Sequence, residues 1–231
     1  MEGTEVRKLA ELEDDHWWYR ERRHLLAKAI TGLTPGLALD IGAAGGGNTR
    51  VLREHGWDAV ALEYGAEGAE VARTRGLATV RADATRLPLA DASLDLVVAF
   101  DLLEHLRDDD AAVAEVHRVL KPTGTYLVAV PADPRLWSGH DEAVDHVRRY
   151  TRDGLLELLQ RGGFAVTDVR SWNVLLRPLV ALRRRSTSGS DLDGLHPLVN
   201  LGLRTIITAE RYLPLGDLPG VSLLVRAQPR S

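Results

Sequence analysis

The chain has 231 residues, 45% of them hydrophobic, which suits one α/β domain with additions. A net charge of −4, from 29 basic and 33 acidic residues, lacks the basic excess that would point to nucleic acid. Cysteine is absent, which excludes a disulfide scaffold, thiolate zinc sites and a cysteine nucleophile. The acidic start, with Glu2, Glu5, Glu11, Glu13, Asp14 and Asp15, has neither the basic nor the apolar region of a signal peptide. No apolar run approaches the ~20 residues of a bilayer span, so a cytoplasmic protein is expected.

In chain order, residues 1–15 are polar and expected to fray, and residues 16–19 then pack Trp17, Trp18 and Tyr19 behind His16. A helix follows to Ile30, stopped by Gly32 and Pro35. The rings either anchor this helix to the core or close over a ligand as a lid. Leu37 to Asp40 is a short apolar strand, and it breaks into Gly42, Gly45, Gly46 and Gly47. Strand, glycine turn and helix in that order form a nucleotide cradle, because the turn needs backbone angles that a Cβ disfavours and a close main-chain approach to its ligand.

Alternation then continues. Residues 48–55 predict a helix, 57–63 a strand ending in Glu63, 66–75 a helix closed by Gly76, and 77–82 a strand delivering Asp83. Residues 95–100 are a continuous apolar strand of the kind buried on both faces, ending at Asp101. A helix spans about 108–121, with Asp108, Asp109 and Asp110 at its start, and Tyr126–Val130 is the fifth strand. This pattern predicts a Rossmann-like, doubly wound parallel sheet, in which ligands lie beyond the carboxyl ends of the strands. Asp40, Glu63, Asp83 and Asp101 all fall at such ends.

Residues 131–150 are a polar loop that carries Trp137, His140, Asp141, Asp145, His146, Arg148, Arg149 and Tyr150. A helix from Thr151 to Gly162 and a sixth strand at 164–169 follow. Residues 172–220 form an insertion before the last strand, 221–225, with one helix near 175–182, three arginines at 183–185, a Ser/Thr/Gly linker at 186–190 and a helix from Pro197 to about Tyr212. The chain thus reads as one domain: an N-terminal lid or helix at 1–34, a core at 35–171, the helical insertion at 172–220 and the last strand at 221–231. The arginines beside apolar residues allow contact with an anionic membrane surface; the plainer reading is a helix over the substrate pocket with its arginines solvated.

Two ligands compete at the glycine turn. As a dinucleotide fingerprint it has Ala44 where a glycine should let the backbone meet pyrophosphate, and Asp40 disfavours phosphate by charge. A cationic, phosphate-free nucleoside fits better. With Leu39-Asp40-Ile41-Gly42-Ala43-Ala44-Gly45-Gly46, Asp83-Ala84, the run from Asp95 to Leu106, and Leu120-Lys121-Pro122-Thr123-Gly124, the chain resembles the class I S-adenosylmethionine-dependent methyltransferases over nearly all its length. Ala44 and Thr123 stand where that family usually has glycine. A narrower resemblance, to a bacterial subgroup, lies in His16-Trp17-Trp18-Tyr19 with Arg22, and in Trp137-Ser138, His140-Asp141, His146 and Arg148-Arg149-Tyr150.

The resemblance implies a seven-stranded sheet with an antiparallel last strand between the fifth and sixth. It implies S-adenosylmethionine, leaving as S-adenosylhomocysteine, held by Asp40, Gly42, Ala44, Gly46, Glu63, Tyr64, Asp83, Ala84, Phe100, Trp18 and Arg22. Glu63 takes the ribose, and Asp83 with Ala84 the adenine. Trp17, Tyr19, Trp137, Asp145, His146, Arg148, Arg149 and Tyr150 are left to a small-molecule acceptor. His140, oriented by Asp141 or Asp145, is the preferred general base and His105 the second. Arg148 and Arg149 would grip an anionic group, unless they tie the loop down. A metal on His140, Asp141, Asp145 and His146 is set aside because adjacent ligands at 145 and 146 point apart unless the backbone bends. No metal requirement is therefore expected. The expected activity is methyl transfer to a natural-product or lipid-linked intermediate; the alternatives are a cofactor-assisted cyclase or isomerase, or a non-catalytic binding protein, and a nicotinamide oxidoreductase comes last.

Overall fold

The structure, a computed structural model, describes residues 12–184 and 195–230. Arg185 and the linker at 186–190 lie outside the described residues.

Seven strands form one sheet: β1 (Leu37–Ile41), β2 (Asp58–Glu63), β3 (Thr79–Arg81), β4 (Leu94–Phe100), β5 (Leu120–Pro131), β6 (Phe164–Trp172) and β7 (Ser222–Pro229). Their order is β3-β2-β1-β4-β5-β7-β6, parallel as far as β5, with β7 antiparallel to both β5 and β6. The predicted sheet and its reversed last strand are both observed. The reversal of strand order between β1 and β4 opens a crevice at their carboxyl ends, where such sheets bind ligands.

Helices cover the two faces. α1 (Trp17–Ile30) and α2 (Gly47–Glu54) bury Leu26, Ile30, Val51 and Leu52 against Leu96, Val98 and Leu127. α3 (Ala66–Thr74) packs beside β2, and α4 (Asp109–Val119) seals the opposite face with Val113 and Val116. α4 starts where Asp108 accepts from the Ala111 N–H, the cap that three successive acids announce. α5 (Gly139–Ala143) is a five-residue helix inside the loop after β5, and α6 (Arg152–Arg161) leads into β6.

Three local expectations are corrected. β5 begins at Leu120, six residues before the predicted strand; Leu120 pairs with Leu94, and an irregularity between Leu94 and Leu96 absorbs the offset. The segment before α1 is tied down where described: buried Glu13 accepts from Arg75 Nη1 (2.5 Å) and Arg50 Nη1 (3.3 Å). α5 replaces irregular loop, because Ser138 and Asp141 form a capping box.

The insertion contributes α7 (Arg177–Arg183) and α8 (Pro197–Glu210). α8 lies against α1: Asn200 Oδ1 accepts from the Trp17 N–H (2.9 Å), Asn200 Nδ2 donates to the Asp15 carbonyl (2.9 Å), and Glu21 is paired with Arg211. Trp17, Trp172, Leu176 and Ile207 form a separate apolar cluster between the two segments. N-terminal segment and insertion are therefore one packed layer over the carboxyl ends of the strands.

Candidate active site

The Gly42–Gly47 turn follows β1. Gly42 and Gly46 have φ of +73° and +82°, and a Cβ on Gly46 would stand 2.1 Å from Leu77 Cδ1. Ala44, at the position where a glycine is usual, adopts φ +45°, a left-handed conformation that costs an L-residue about 1–2 kcal/mol. What holds it there is Glu63: its Oε2 accepts from the Ala44 N–H (2.8 Å) and its Oε1 from the Gly65 N–H (3.1 Å). Asp40 is buried beneath the turn; Oδ2 accepts from Thr49 Oγ1 (2.7 Å), and Oδ1 has no partner among the described residues. Burial pushes its pKa up to about 7, and the nearby Glu63 charge adds to the rise. An unpartnered buried acceptor under a turn that excludes side chains suits a ligand carrying positive charge.

A cavity of about 420 Å³ opens on the β4 side of this turn. Gly42 and Ala44 form one edge, and Trp17, Trp18, Tyr19 and Arg22 of α1 the roof. Leu176, Leu179 and Val180 with Leu195, Val199 and Leu203 make an apolar wall from the insertion. Arg22 organises the roof. Its guanidinium lies 5.0 Å from the Phe100 ring centre, 5.2 Å from Trp172 and 5.6 Å from Trp18, and its Nε donates to Asp101 Oδ2 (2.9 Å). Asp101 has φ +54°, so this ion pair sits on a strained backbone at the end of β4.

The opposite wall holds Glu104, His105, His140, His146 and Arg149. Asp141, fully buried, accepts from the Ser138 N–H (3.0 Å), His146 Nδ1 (2.9 Å), Arg149 Nε (2.7 Å) and Arg184 Nη1 (3.2 Å). Burial raises its pKa, but the His146 bond and the two guanidiniums outweigh that and hold it well below the usual carboxylate range. Burial lowers the pKa of His105, with His146 adding to the shift, so its imidazole is neutral at pH 7.

Several sequence assignments are corrected by these contacts. Asp141 does not orient His140; it is the acceptor for His146, because its carboxylate is turned inward to cap α5 and meet two arginines. Arg148 and Tyr150 do not face the acceptor space. Arg148 Nη1 pairs with Asp109 Oδ2 (2.8 Å) and its Nη2 donates to the Arg107 carbonyl (2.8 Å); the Tyr150 hydroxyl donates to Asp109 Oδ2 (2.6 Å). Both tie the loop to α4. Arg149 lines the cavity but spends its Nε on Asp141 and its Nη1 on the Ala132 carbonyl. Trp137 and Asp145 are exposed outside the cavity lining.

Glu63, Tyr64, Asp83 and Ala84 also lie outside that lining, at the ends of β2 and β3 on the other side of β1 from β4. Asp83 is exposed, and its Oδ1 accepts from the Thr85 N–H (2.8 Å) and hydroxyl (2.7 Å). The nucleoside-side and acceptor-side candidates therefore flank the same glycine turn. Sequence reading passed over two cavity residues. Among the described residues, fully buried Glu104 has neither carboxylate oxygen hydrogen-bonded, and buried Asn173 has φ +61° and an unpartnered Oδ1. The Glu104-His105 pair beyond an apolar strand was the available signal; Asn173 carried none.

The sheet order and the strand-end crevice define a Rossmann-like, doubly wound α/β fold. Residues 39–128 match the family described as a methyltransferase domain. The chain is 29% identical over 171 residues to a Mycolicibacterium smegmatis protein named "probable S-adenosylmethionine-dependent methyltransferase", covering 71% of this chain and 66% of that one. It is 34% identical over 118 residues to the demethylmenaquinone methyltransferase of Renibacterium salmoninarum, covering 50% and 49%. A chain from the complex between the Haloferax volcanii Trm112 methyltransferase activator and a methyltransferase superposes with a TM-score of 0.68 at 18% identity, covering 99% of this chain and 95% of that one. The chain spans about two thirds or less of the length of these curated relatives. Over its core the chain is thus similar to S-adenosylmethionine-dependent methyltransferases.

Proposed function

We propose that the protein transfers a methyl group from S-adenosylmethionine to a small molecule with an apolar portion. The observation that carries this reading is the Asp40–Ala44–Glu63 arrangement: a buried carboxylate oxygen unpartnered among the described residues and a second carboxylate held by the turn's own N–H, next to a cavity of about 420 Å³. Gly42, Ala44, Gly46 and Asp40 would hold the amino-acid end of the donor, with Trp18, Arg22 and Phe100 on the cavity side. Glu63 and Tyr64 would take the ribose, and Asp83 with Ala84 the adenine. Bound S-adenosylmethionine supplies an electrophilic methyl carbon on a cationic sulfur.

The chain's own part is positioning. Holding the acceptor in line and near 3 Å, in a space closed by α1 and the insertion, supplies a large effective molarity. The apolar wall of Leu176, Val180, Leu195, Val199 and Leu203 favours a lipid-linked or natural-product acceptor. His140 is the preferred proton acceptor, since it lines the cavity and its ring centre lies 6.3 Å from that of His146. Trp17 and Tyr19 border the acceptor from the roof, and the His16–Tyr19 segment favours the bacterial subgroup that the chain resembles. The absence of a basic excess argues against nucleic acid.

The test is to mix the purified protein with S-adenosylmethionine and apolar-tailed alcohols, phenols and amines, and to read S-adenosylhomocysteine release together with gain of one methyl on the acceptor. Tight S-adenosylhomocysteine binding without turnover on any acceptor would favour a cyclase, isomerase or non-catalytic binding protein. Failure to bind S-adenosylhomocysteine would end the reading.

A further inference from the structure

Glu104, in the single 3-10 turn Leu103–His105 after β4, is an expensive residue. Its side chain is fully buried, and neither carboxylate oxygen accepts a hydrogen bond among the described residues. Arg22 and Arg149 act on it through space without donating to it, and Asp101 repels it. A buried carboxyl left in that condition either holds its own proton or takes a cationic partner.

Two imidazoles face it. His146 Nε2 is 3.8 Å from Glu104 Oε1. The other nitrogen of that ring, Nδ1, is 2.9 Å from Asp141 Oδ1, a carboxylate that only accepts, so Nδ1 carries the proton and Nε2 keeps its lone pair. His105 is arranged likewise: Nδ1 lies 3.3 Å from the Asp145 carbonyl, leaving the Nε2 lone pair. The left-handed backbone of Asp145, φ +60°, accompanies that turn of its carbonyl toward His105. The two rings stand 4.8 Å apart at 76°, and one ligand atom from each of Glu104, His105 and His146 lies within 4.8 Å of the others. All three residues line the cavity.

We propose that Glu104, His105 and His146 bind a divalent first-row transition-metal ion in the wall of the acceptor cavity. Two imidazoles and one carboxylate suit manganese, iron, cobalt, nickel or zinc better than magnesium or calcium. Asp141 and the Asp145 carbonyl are the outer partners that fix each imidazole's tautomer, as ligating histidines require. Metal–nitrogen bonds of about 2.0–2.1 Å need the ligand atoms closer together. Binding therefore draws the two imidazoles together as well as the Glu104 carboxylate, which no hydrogen bond among the described residues restrains. This is a different set from the one weighed on sequence, which used Asp141 and Asp145 as ligands instead of as orienting groups.

The ion's role, unlike its binding, rests on the methyltransferase reading. Its remaining positions open to the cavity and would hold an acceptor hydroxyl oxygen, lowering the hydroxyl pKa. As that oxygen forms its bond to the methyl carbon, its proton passes to His140. The carbon–sulfur bond breaks with its electron pair going to sulfur, which leaves as neutral thioether.

The experiment uses the full chain, stripped with chelator and titrated with Co(II), read by visible ligand-field absorption and by calorimetry; S-adenosylhomocysteine affinity is measured separately on the stripped protein. The expected result is one equivalent of Co(II), with affinity at least about 100-fold weaker in Glu104→Gln and in His105→Ala, the loss that outer partners alone can reach. Thermal melts accompany both variants. Glu104→Gln keeps shape while removing a buried charge, so it is expected to fold even where His105→Ala does not. No Co(II) uptake by the wild type, or wild-type uptake by folded Glu104→Gln, overturns the site. Co(II) failing while S-adenosylhomocysteine binds sinks the metal alone, and the converse sinks the methyltransferase reading alone. Full turnover in the stripped protein overturns the ion's role.

Discussion

The Ala44 N–H donates to Glu63 Oε2 at 2.8 Å, joining the glycine turn after β1 to the acid at the end of β2. One side chain thus shapes the turn and borders the space assigned to the ribose. Glu63→Ala is expected to weaken S-adenosylhomocysteine binding by about 1–3 kcal/mol, the value of hydrogen bonds to a charged group plus the loosened turn. Glu63→Gln keeps an oxygen for Ala44 and loses the charge, so it should fall between wild type and Glu63→Ala. Calorimetric titration of both variants checks this, and unchanged affinity in Glu63→Ala would remove Glu63 from the site.

Asp40 gives a pH dependence. Its folded pKa, raised by burial to about 7, exceeds the ordinary 3.8, so the folded protein holds this proton more tightly than the unfolded chain. The neutral carboxyl's contribution to stability is complete below about pH 4 and is lost as pH rises through 7. Asp40→Asn retains an oxygen for Thr49 Oγ1 and removes the penalty. It is expected to raise the melting temperature of the ligand-free protein at pH 8, to flatten stability between pH 4 and 7, and to weaken S-adenosylmethionine binding. Melts across pH with and without S-adenosylhomocysteine read all three effects.

These two predictions draw on the part of the site that was legible in sequence. Asp40, the glycines and Glu63 belong to strand–turn–helix units whose signal is local: an apolar run, a break, an acid at a strand end. The doubly wound parallel sheet followed from alternation, and the reversed β7 between β5 and β6 from family resemblance. The loop after β5 was opaque because its polar residues are committed over distances that spacing does not report. Arg148 and Tyr150 meet Asp109, some forty positions earlier, and Asp141 meets Arg184, forty-three later. Function and clamping use the same residue types there. Only which carboxylate faces which guanidinium separates them, so Glu104, to which no guanidinium among the described residues donates, escaped notice.

Asp141 is therefore expected to matter first for stability. Asp141→Ala leaves Arg149, itself buried, and Arg184 without their carboxylate and uncaps α5, for a cost of about 3–5 kcal/mol in urea unfolding at pH 7. The sign with pH is opposite to that of Asp40. The folded pKa of Asp141 is depressed, so its contribution is present above the unfolded value of 3.8 and fades as pH falls below it. The difference between wild type and Asp141→Ala should shrink on acidification; a constant difference would mean the carboxylate's charge is not what Arg149 and Arg184 need.

Arg22 distinguishes anchoring from ligand binding in the aromatic N-terminal segment. Its guanidinium stacks among Trp18, Phe100 and Trp172 and pairs with Asp101, while Nη1 is buried with no hydrogen-bond partner among the described residues and the residue lines the cavity. Arg22→Met keeps an apolar stem between the rings and loses the charge. Arg22→Ala loses both. If Arg22 only anchors α1, affinity for S-adenosylhomocysteine should follow packing, nearly intact in Arg22→Met and reduced in Arg22→Ala. If its free donor meets the ligand's carboxylate, both variants should lose about 1.5–3 kcal/mol of affinity, the range for hydrogen bonds to charged groups, while only Arg22→Ala also exposes α1 to protease. The second pattern is expected, because an orphaned guanidinium nitrogen at a cavity wall gains nothing from packing and is satisfied only by an anion. Calorimetry and limited proteolysis on the same two proteins separate the alternatives.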